Sequence, residues 1–287
     1  MRIHAIQTGT VAVKTRQREG VGTGKRRFLN MLLDPEWTAP LPIYAWVIEH
    51  AEGAIVIDTG ETSRAHEPGY FPRWHPYYRS GLREWVEPEE EVGPQLERIG
   101  VSPAEVRAVV MTHLHTDHAG GLHHFPKSEI FVSRTEWHQA TGRMGRLRGY
   151  LNSRFPDWLR PRLVDFAPEA YDVFPESFTL TRVGDVRLVP TPGHTPGHLS
   201  VVLEGVDGKR IFLAGDASYT EELMLRGAID GVSPDDETAE TTLERIRHFA
   251  EHAPTVYLPS HDPESGVRLL KRCSAGPALD KRRAVAA

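Results

Sequence analysis

Residues 108–118 have the sequence AVVMTHLHTDH, in which an apolar run leads directly into four side chains that can bind a metal. The run Ala108–Met111 is typical of a buried strand. On an extended segment, residues two apart point the same way, so His113 and His115 share one direction. If the chain then tightens, Asp117 and His118 turn toward a second point. Four ligands are more than one metal with an open coordination position requires.

The same arrangement, an acidic or histidine side chain just after an apolar β-run, recurs along the chain. The residues that follow such runs are Asp58, His194, Asp216 and His261. Because strands deliver these side chains to one edge of a sheet, the loops there are free to build a site. Without Asp58, this makes seven candidate ligands, which divide as three, three and one shared carboxylate. The pattern predicts two metal ions about 3.5–4 Å apart. Imidazole and carboxylate ligands favour Zn²⁺, and leave Fe, Mn or Co open.

The composition of the chain narrows its class. Its 287 residues are 39% hydrophobic and 25% charged with a net charge of −5, which indicates a globular protein and excludes a strongly basic nucleic-acid binder. Its single cysteine, Cys273, cannot form an internal disulfide, which fits a reducing compartment. The first 20 residues lack the apolar segment of a signal peptide, and no run approaches 18 apolar residues. We therefore expect a cytoplasmic enzyme without nucleic-acid or membrane partners.

The order of the predicted elements indicates an α/β protein. Both halves of the chain contain strands, then a polar loop, then a helix, which suggests two β-rich halves that face each other with helices outside. We predict helices near Tyr77–Glu84 and over Asp236–His252, and irregular loops over much of 61–95 and 141–172. No linker separates the halves. Residues 1–272 are therefore predicted to form a single domain, and the Ala/Arg-rich residues 273–287 a frayed tail.

The metal-binding motifs together resemble those of the metallo-β-lactamase superfamily. The resemblance rests on His113-Leu-His-Thr-Asp-His118, on His194 within the segment PGHTPGH, on Asp216 after a glycine, and on the late His261. These motifs cover nearly the whole chain in the family's order. The segment GDASYT at 215–220 further resembles the N-acyl-homoserine lactonases, the quorum-quenching lactonases. Those enzymes carry a tyrosine three residues after the aspartate that bridges the two metals. Tyr219 occupies that position.

The resemblance implies a fold and an assignment of ligands. The fold is an αβ/βα sandwich of two mixed β-sheets flanked by helices. The first metal would be held by His113, His115 and His194, and the second by Asp117, His118 and His261, with Asp216 bridging the two. Asp58 would lie outside the ligands and orient one of them, because metal-bound imidazoles usually give their other N–H to a carboxylate. His198 repeats the Pro-Gly-His pattern of His194, but only the first repeat matches a ligand, so we expect His198 to lie beside the ligands or to be structural.

The resemblance also implies an activity. A hydroxide that bridges the metals would attack the carbonyl of an N-acyl-homoserine lactone and open its ester bond. The Tyr219 hydroxyl would stabilise the developing oxyanion. Asp117 would take the released proton and carry it to the leaving alkoxide, which makes it a catalytic residue as well as a ligand.

A hydrophobic lactone requires an apolar binding surface. Loop segments 28–37, 66–78 and 141–158 are rich in large apolar side chains, which on loops often line a pocket or a subunit contact, so a homodimer stays open. The candidate substrate-binding residues are Phe28, Met31, Leu32, Tyr70, Phe71, Trp74, Met144 and Tyr150.

Other activities share this type of metal site. The nearest alternative is a phosphotriesterase resembling methyl parathion hydrolase, followed by another carboxylic-ester or lactone hydrolase. A glyoxalase-II-type thioesterase would require basic residues to bind the carboxylates of glutathione. An RNase-Z-type nuclease would require a basic surface, which a net charge of −5 does not provide. A scaffold protein that binds metal without catalysis is disfavoured, because the set of ligands is complete.

Overall fold

The computed structural model describes residues 1–275, and two mixed β-sheets form its centre. The first sheet has seven strands in the order β4-β1-β2-β3-β5-β6-β7, of which β3, β5, β6 and β7 run parallel. Its strands are β1 Arg2–Val13, β2 Leu41–Glu49, β3 Ile55–Ile57, β4 Leu82–Trp85, β5 Ala108–Val110, β6 Glu129–Ser133 and β7 Arg162–Val164.

The second sheet has five strands in the order β12-β11-β10-β9-β8. Neighbouring strands are antiparallel except β11 and β12, which are parallel. Its strands are β8 Phe178–Thr179, β9 Val186–Pro190, β10 Leu199–Val206, β11 Lys209–Gly215 and β12 Thr255–Pro259.

Helices cover the outer faces of both sheets. The α-helices are α1 Thr15–Arg18, α2 Gly24–Leu32, α3 Pro76–Ser80, α4 Val92–Arg98, α5 Thr116–Ala119, α6 Arg134–Thr141, α7 Glu221–Arg226, α8 Asp236–His252 and α9 Ser265–Lys271. Short 3₁₀ helices span Ser63–His66, Pro88–Glu90, Pro103–Glu105, Gly120–His124, Gly145–Arg148 and Asn152–Arg154. None of the helices within residues 1–275 has both the length and the apolar character that crossing a membrane requires.

The alternation of side chains along each strand explains the layers. In β5, Ala108 and Val110 point toward the second sheet and pack with residues such as Leu188 and Leu258. Val109 and Met111 point the other way and pack under α4. On the far side, α8 covers the second sheet. The predicted sandwich of two mixed sheets flanked by helices is therefore confirmed, and strands buried on both faces explain the continuous apolar runs.

Two local predictions have different outcomes. The predicted helix Asp236–His252 is confirmed as α8, whose N-cap Asp235 accepts a hydrogen bond of 2.7 Å from the backbone N–H of Thr238. The predicted helix near Tyr77–Glu84 is wrong beyond Ser80. There Leu82–Trp85 pairs with Thr10–Val13 as an edge strand, so tertiary pairing overrides the local pattern.

The C-terminal prediction falls only partly on the described residues. Of the predicted tail 273–287, residues 276–287 lie outside the described range. Ala275 is buried, and its backbone N–H donates to the Thr255 carbonyl at 2.8 Å.

Candidate active site

All seven predicted ligands meet at one edge of the sandwich, where strands of both sheets end. The first sheet contributes the segment after β5 and the short helix α5, which together carry His113, His115, Asp117 and His118. The second sheet contributes the loop between β9 and β10 and the ends of β11 and β12, which carry His194, Asp216 and His261. Side chains far apart in sequence therefore share one small volume.

Three overlapping groups of these side chains have the spacing of metal sites. In each group the potential ligand atoms lie within 4.8 Å of one another. The groups are His113, His115 and His194; His113, His118 and Asp216; and Asp117, His118 and His261. Asp216 also lies 3.4 Å from the Nε2 atom of His261 and 3.5 Å from that of His194, so its carboxylate reaches both ends of the cluster.

Three buried polar atoms in the cluster are suited to bind a cation. The Nε2 atoms of His113 and His118 and the Oδ1 atom of Asp216 have no hydrogen-bond partner among residues 1–275, although all three are shielded from water. Each buried polar atom without a partner lowers the stability of the folded state by roughly 1–3 kcal/mol, so three such atoms in one place are unusual in a folded protein. Lone pairs that converge on one volume are what a divalent cation requires, and these residues could hold a metal ion.

Asp58 fixes the orientation of two parts of the cluster. Its carboxylate lies 2.8 Å from Nδ1 of His118, so that nitrogen carries the proton and Nε2 is left as the ligand atom. The same carboxylate accepts bonds of 2.7 Å from both the N–H and the hydroxyl of Thr112. Asp58 has a left-handed backbone with φ 56°, a conformation that is rare outside glycine and that the surrounding contacts hold in place.

Two other imidazoles are oriented in the same way by different acceptors. Nδ1 of His194 lies 2.6 Å from the carboxylate of Asp230, which is buried. Nδ1 of His261 lies 2.8 Å from the carbonyl oxygen of Pro42 in β2. Both acceptors lack protons, so each Nδ1 is the donor and each Nε2 faces the other ligands.

His198 lies beside the ligands rather than among them. Its Nε2 accepts a bond of 3.0 Å from the backbone N–H of Asp216, and its Nδ1 lies 2.9 Å from the hydroxyl of Thr191. Burial, together with the charge of His194, lowers the pKa of His198 to about 3, which keeps the ring neutral and Nε2 free to accept. Gly215 allows this approach, because a Cβ there would lie 2.7 Å from the same Nε2.

Buried carboxylates also hold the two ligand-bearing loops. Glu136 accepts bonds of 2.9 Å from the N–H of Leu114 and 2.7 Å from the hydroxyl of Thr195, and so ties the first motif to the PGHTPGH loop. Glu61 accepts a bond of 2.6 Å from the hydroxyl of Thr116 in helix α5. Burial raises the pKa of Glu61 to about 7. These contacts restrain the backbone that positions the ligands.

The pKa values of the histidines are shifted in opposite directions at the two ends of the cluster. Burial, with the neighbouring His194, lowers the pKa of His115 to about 3, so this ring is neutral and ready to bind a cation. At His261, burial also disfavours the charged ring, but the negative charges of Asp216 and Asp117 outweigh it and raise the pKa to about 10. A cation that binds Nε2 of His261 must therefore displace a proton.

A cavity of about 750 Å³ opens over the cluster, and Asp117 and Asp216 contribute to its wall. Apolar side chains form much of the rest of the wall. They are Phe28, Leu29, Leu32, Leu82, Leu147, Tyr150 and Val232. A cavity of this size, with a few convergent polar groups on an apolar wall, is typical of a small-molecule site.

The structure brings only some of the predicted substrate-binding residues to this cavity. Phe28 and Leu32, one helical turn apart in α2, and Tyr150 line it. The others do not: Met31, Tyr70, Phe71, Trp74 and Met144. Met31 points to the buried side of α2, Tyr70 and Phe71 pack in a small cluster with Leu151, and Trp74 and Met144 are about half exposed. Because the sequence of these loop segments has no regular periodicity, it does not indicate which of their side chains face the cavity.

Tyr219 lies in the cavity wall and is held by a residue from the start of the chain. The Nε2 atom of Gln17 donates to the hydroxyls of both Tyr219 and Tyr77, each at 2.9 Å. The Tyr219 ring also stacks on the ring of His261, with 5.5 Å between their centroids. Because its oxygen already accepts a bond from Gln17, the Tyr219 hydroxyl can direct its own proton elsewhere.

Sequence reasoning missed Asp230, Glu136 and Gln17. Asp230 lies in the loop after α7, where no apolar β-run precedes it. Glu136 is three residues beyond the helix N-cap Ser133, where an acidic residue is expected for capping alone. Gln17 lies 202 residues from its partner Tyr219. None of these positions carries a pattern that distinguishes it from an ordinary polar residue.

Comparison with known proteins gives relatives with similar sequences. N-acyl homoserine lactonase AiiA of Bacillus thuringiensis subsp. kurstaki is 28% identical over 237 residues, which cover 82% of this chain and 87% of that protein. N-acyl homoserine lactonase AttM of Agrobacterium fabrum is 27% identical over 278 residues, which cover 94% of this chain and 97% of that protein.

The fold also matches solved structures. A structure of an N-acyl homoserine lactone hydrolase, with the product N-hexanoyl-L-homoserine bound at its catalytic metal centre, superposes with a TM-score of 0.75 and 24% identity. The match covers 96% of this chain and 97% of that chain. Residues 38–261 match the model of the metallo-β-lactamase superfamily, a range that begins before β2 and ends at the last predicted ligand. The chain belongs to the metallo-β-lactamase superfamily.

Proposed function

We propose that the protein is a lactonase that hydrolyses the ester bond of N-acyl-homoserine lactones, with two Zn²⁺ ions as its cofactors. The observation that carries the proposal is a cluster of imidazoles and carboxylates at the base of a largely apolar cavity, with the Tyr219 hydroxyl in the wall. The relatives named as N-acyl homoserine lactonases support the choice of substrate. A single cysteine fits the proposed cytoplasmic location.

The proposed ligands follow the groups described above. His113, His115 and His194 would hold one ion, Asp117, His118 and His261 the other, and Asp216 would contact both. When bound, the ions would lower the pKa of water, so that hydroxide is available near neutral pH, and would polarise the lactone carbonyl. Neutral imidazole and carboxylate ligands suit Zn²⁺.

Tyr219 is proposed to donate a hydrogen bond to the carbonyl oxygen of the lactone as negative charge develops there. Its oxygen accepts a bond from Gln17, so the hydroxyl proton is free to point into the cavity. Burial raises the pKa of Tyr219 well above its usual value, so the side chain stays a neutral donor at any working pH. A preoriented donor in a site that excludes water stabilises an oxyanion more strongly than water does.

Asp117 is proposed to move the proton. Its side chain is 15% exposed and borders the cavity, with one oxygen 3.3 Å from Nε2 of His261. As a carboxylate it can take the proton that the attacking hydroxide releases, and can then deliver it to the ring oxygen as the ester bond breaks. The acyl chain would lie along the apolar wall near Phe28, Leu32 and Leu147.

A direct test is an assay of purified, zinc-loaded protein on N-acyl-homoserine lactones of several chain lengths, with acid release followed by pH-stat. We expect hydrolysis that a chelator abolishes and added Zn²⁺ restores. Paraoxon under the same conditions should be a poorer substrate. Failure to open any lactone would overturn the proposal, and faster cleavage of paraoxon would favour the phosphotriesterase alternative.

Replacing Tyr219 with phenylalanine is expected to lower kcat about 10²- to 10³-fold, since the loss of one oxyanion donor raises the activation free energy by roughly 2.7–4 kcal/mol. The KM for the lactone should change little, because the ring and its stacking on His261 remain. Steady-state kinetics measure both constants. Tyr44→Phe is a matched control, because Tyr44 stacks on Trp46 and does not line the cavity. An unchanged kcat in Tyr219→Phe would exclude the proposed donor role.

A further inference from the structure

A second group of potential metal ligands lies outside the active site. Glu91 follows a short 3₁₀ helix before α4, and His123 and His124 end the 3₁₀ helix that follows α5. The Nε2 atoms of the two histidines point at the same carboxylate oxygen, Oε2 of Glu91, at 3.2 Å from His123 and 2.7 Å from His124. Their rings lie 4.0 Å apart at an angle of 37°.

In the neutral ring of His123, the hydrogen bond made by Nδ1 leaves the lone pair of Nε2 facing a carboxylate oxygen, which is electrostatically unfavourable. Nδ1 of His123 lies 3.1 Å from the carbonyl oxygen of Gly120, which only accepts, so Nδ1 carries the proton of the neutral ring. The lone pair of Nε2 then faces the carboxylate oxygen of Glu91. Either a second proton on His123 or a cation between these atoms removes the repulsion. An imidazole that donates its other N–H to a carbonyl is also the arrangement of metal-bound histidines.

The carboxylate and the second imidazole are held firmly. Oε1 of Glu91 accepts three bonds, of 2.9 Å and 2.6 Å from the N–H and hydroxyl of Ser63 and of 3.1 Å from the hydroxyl of Thr62. Oε2 is therefore left for the histidines. The ring of His124 fits against Gly93, where a Cβ would lie 2.4 Å from its Nδ1. Two of the three potential ligands are thus fixed before any ion arrives.

The geometry matches a three-ligand site with an open position. Ligands bound at about 2.0–2.2 Å around a tetrahedral Zn²⁺ lie about 3.3–3.6 Å apart. The 3.2 Å between His123 and Glu91 is close to this spacing, whereas the 2.7 Å between His124 and Glu91 is a hydrogen bond that must lengthen when an ion replaces its proton. All three potential ligand atoms lie within 4.8 Å of one another. The side chain of His123 is 41% exposed and borders a cavity of about 250 Å³, through which water and ions can reach it.

We propose that Glu91, His123 and His124 form a peripheral binding site for a single divalent transition-metal ion such as Zn²⁺, with a water molecule as the fourth ligand. Two imidazoles and one carboxylate are a common set of zinc ligands with an open position. The site is separate from the seven ligands of the active site. It stands whether or not the protein is a lactonase.

The test counts bound metal. Wild-type protein and the variants His123→Ala and Glu91→Gln are dialysed to equilibrium against excess Zn²⁺, and bound zinc per chain is measured by atomic emission. The matched control is His248→Ala, which removes an exposed histidine on α8 that belongs to no group of potential ligands within residues 1–275. We expect both site variants to bind one equivalent less than wild type, and the control to bind the same number.

A second measurement does not depend on determining the number of zinc ions bound per chain. Added Co²⁺ should give wild type an additional visible absorption from the peripheral ion, and the Glu91→Gln spectrum should lack it. Glu91→Gln retains Oε1, so the hydrogen bonds from Ser63 remain and the fold is preserved. Equal zinc content in wild type and both site variants would overturn the proposal, and so would an equal loss in His248→Ala.

Discussion

Asp216→Asn is expected to lower kcat/KM for an N-acyl-homoserine lactone by about 10³-fold or more, because a shared anionic ligand contributes several kcal/mol to metal-assisted catalysis. Oδ1 of Asp216 lies 3.3 Å from Nε2 of His118 and 3.4 Å from that of His261. Oδ2 lies 3.5 Å from Nε2 of His194. Asparagine supplies one acceptor oxygen instead of two and no charge, so both ends of the cluster lose the negative charge that Asp216 contributes.

The measurement combines kinetics with metal content. Bound metal per chain should fall along with activity, while circular dichroism should show the same secondary structure. Asp207→Asn makes the same chemical change at an exposed turn between β10 and β11 and should leave both quantities unchanged. If Asp216→Asn keeps full metal content and full activity, Asp216 is not a ligand of catalytic metal.

Asp117→Asn is expected to lower kcat by about 10²- to 10⁴-fold, the range for loss of a general acid–base group. The amide cannot accept the proton that hydroxide attack releases. KM should change less than kcat, since the apolar wall that would hold the acyl chain lies elsewhere in the cavity. Steady-state kinetics over several lactones would measure both constants.

Because Asp117 is also a predicted ligand, metal content must be followed together with turnover. If turnover stays low when excess Zn²⁺ restores full occupancy, the loss reflects proton transfer. If added Zn²⁺ restores turnover as well, Asp117 acts only as a ligand. Near-normal turnover without added metal would exclude both roles.

The candidate ligands could be singled out in the sequence because they follow apolar strands. Val109 and Val110 are buried on opposite faces of β5, so the residues of this run are apolar without exception, and the motif begins where the run ends. Asp216 likewise directly follows the apolar end of β11, and His261 lies two residues after the end of β12. A continuous apolar run in the sequence indicates a buried strand, and the polar residues that follow the run lie at the edge of the sheet where the strand ends. The two-sheet fold could be predicted for the same reason.

The residues that orient the ligands could not be predicted in this way. Asp230 reaches His194 from a loop, and Pro42 reaches His261 through a backbone carbonyl that any residue type would supply. Their positions depend on how the two sheets pack. Asp58 was accessible to sequence reasoning only because it too follows a strand.

The substrate cavity was the least predictable part. The segment Tyr77–Glu84 looks helical locally, yet Leu82–Trp85 completes the edge of the first sheet by pairing with β1. Leu29 and Leu147 line the cavity, whereas Trp74 does not, and all three are apolar residues near loops. Which of them faces inward is decided by contacts between segments distant in sequence, such as the contact of α2 with α3.

The division of the seven predicted ligands between the two sheets has a consequence for the lifetime of the folded state. His113, His115, Asp117 and His118 belong to the first sheet, and His194, Asp216 and His261 to the second. They meet only once the sheets have packed. We expect this packing to follow the folding transition state, so that a bound cation adds an interaction which that state lacks. Such interactions slow unfolding and leave the folding rate unchanged. Metal should therefore make this protein persist longer in the native state without helping it to reach that state sooner.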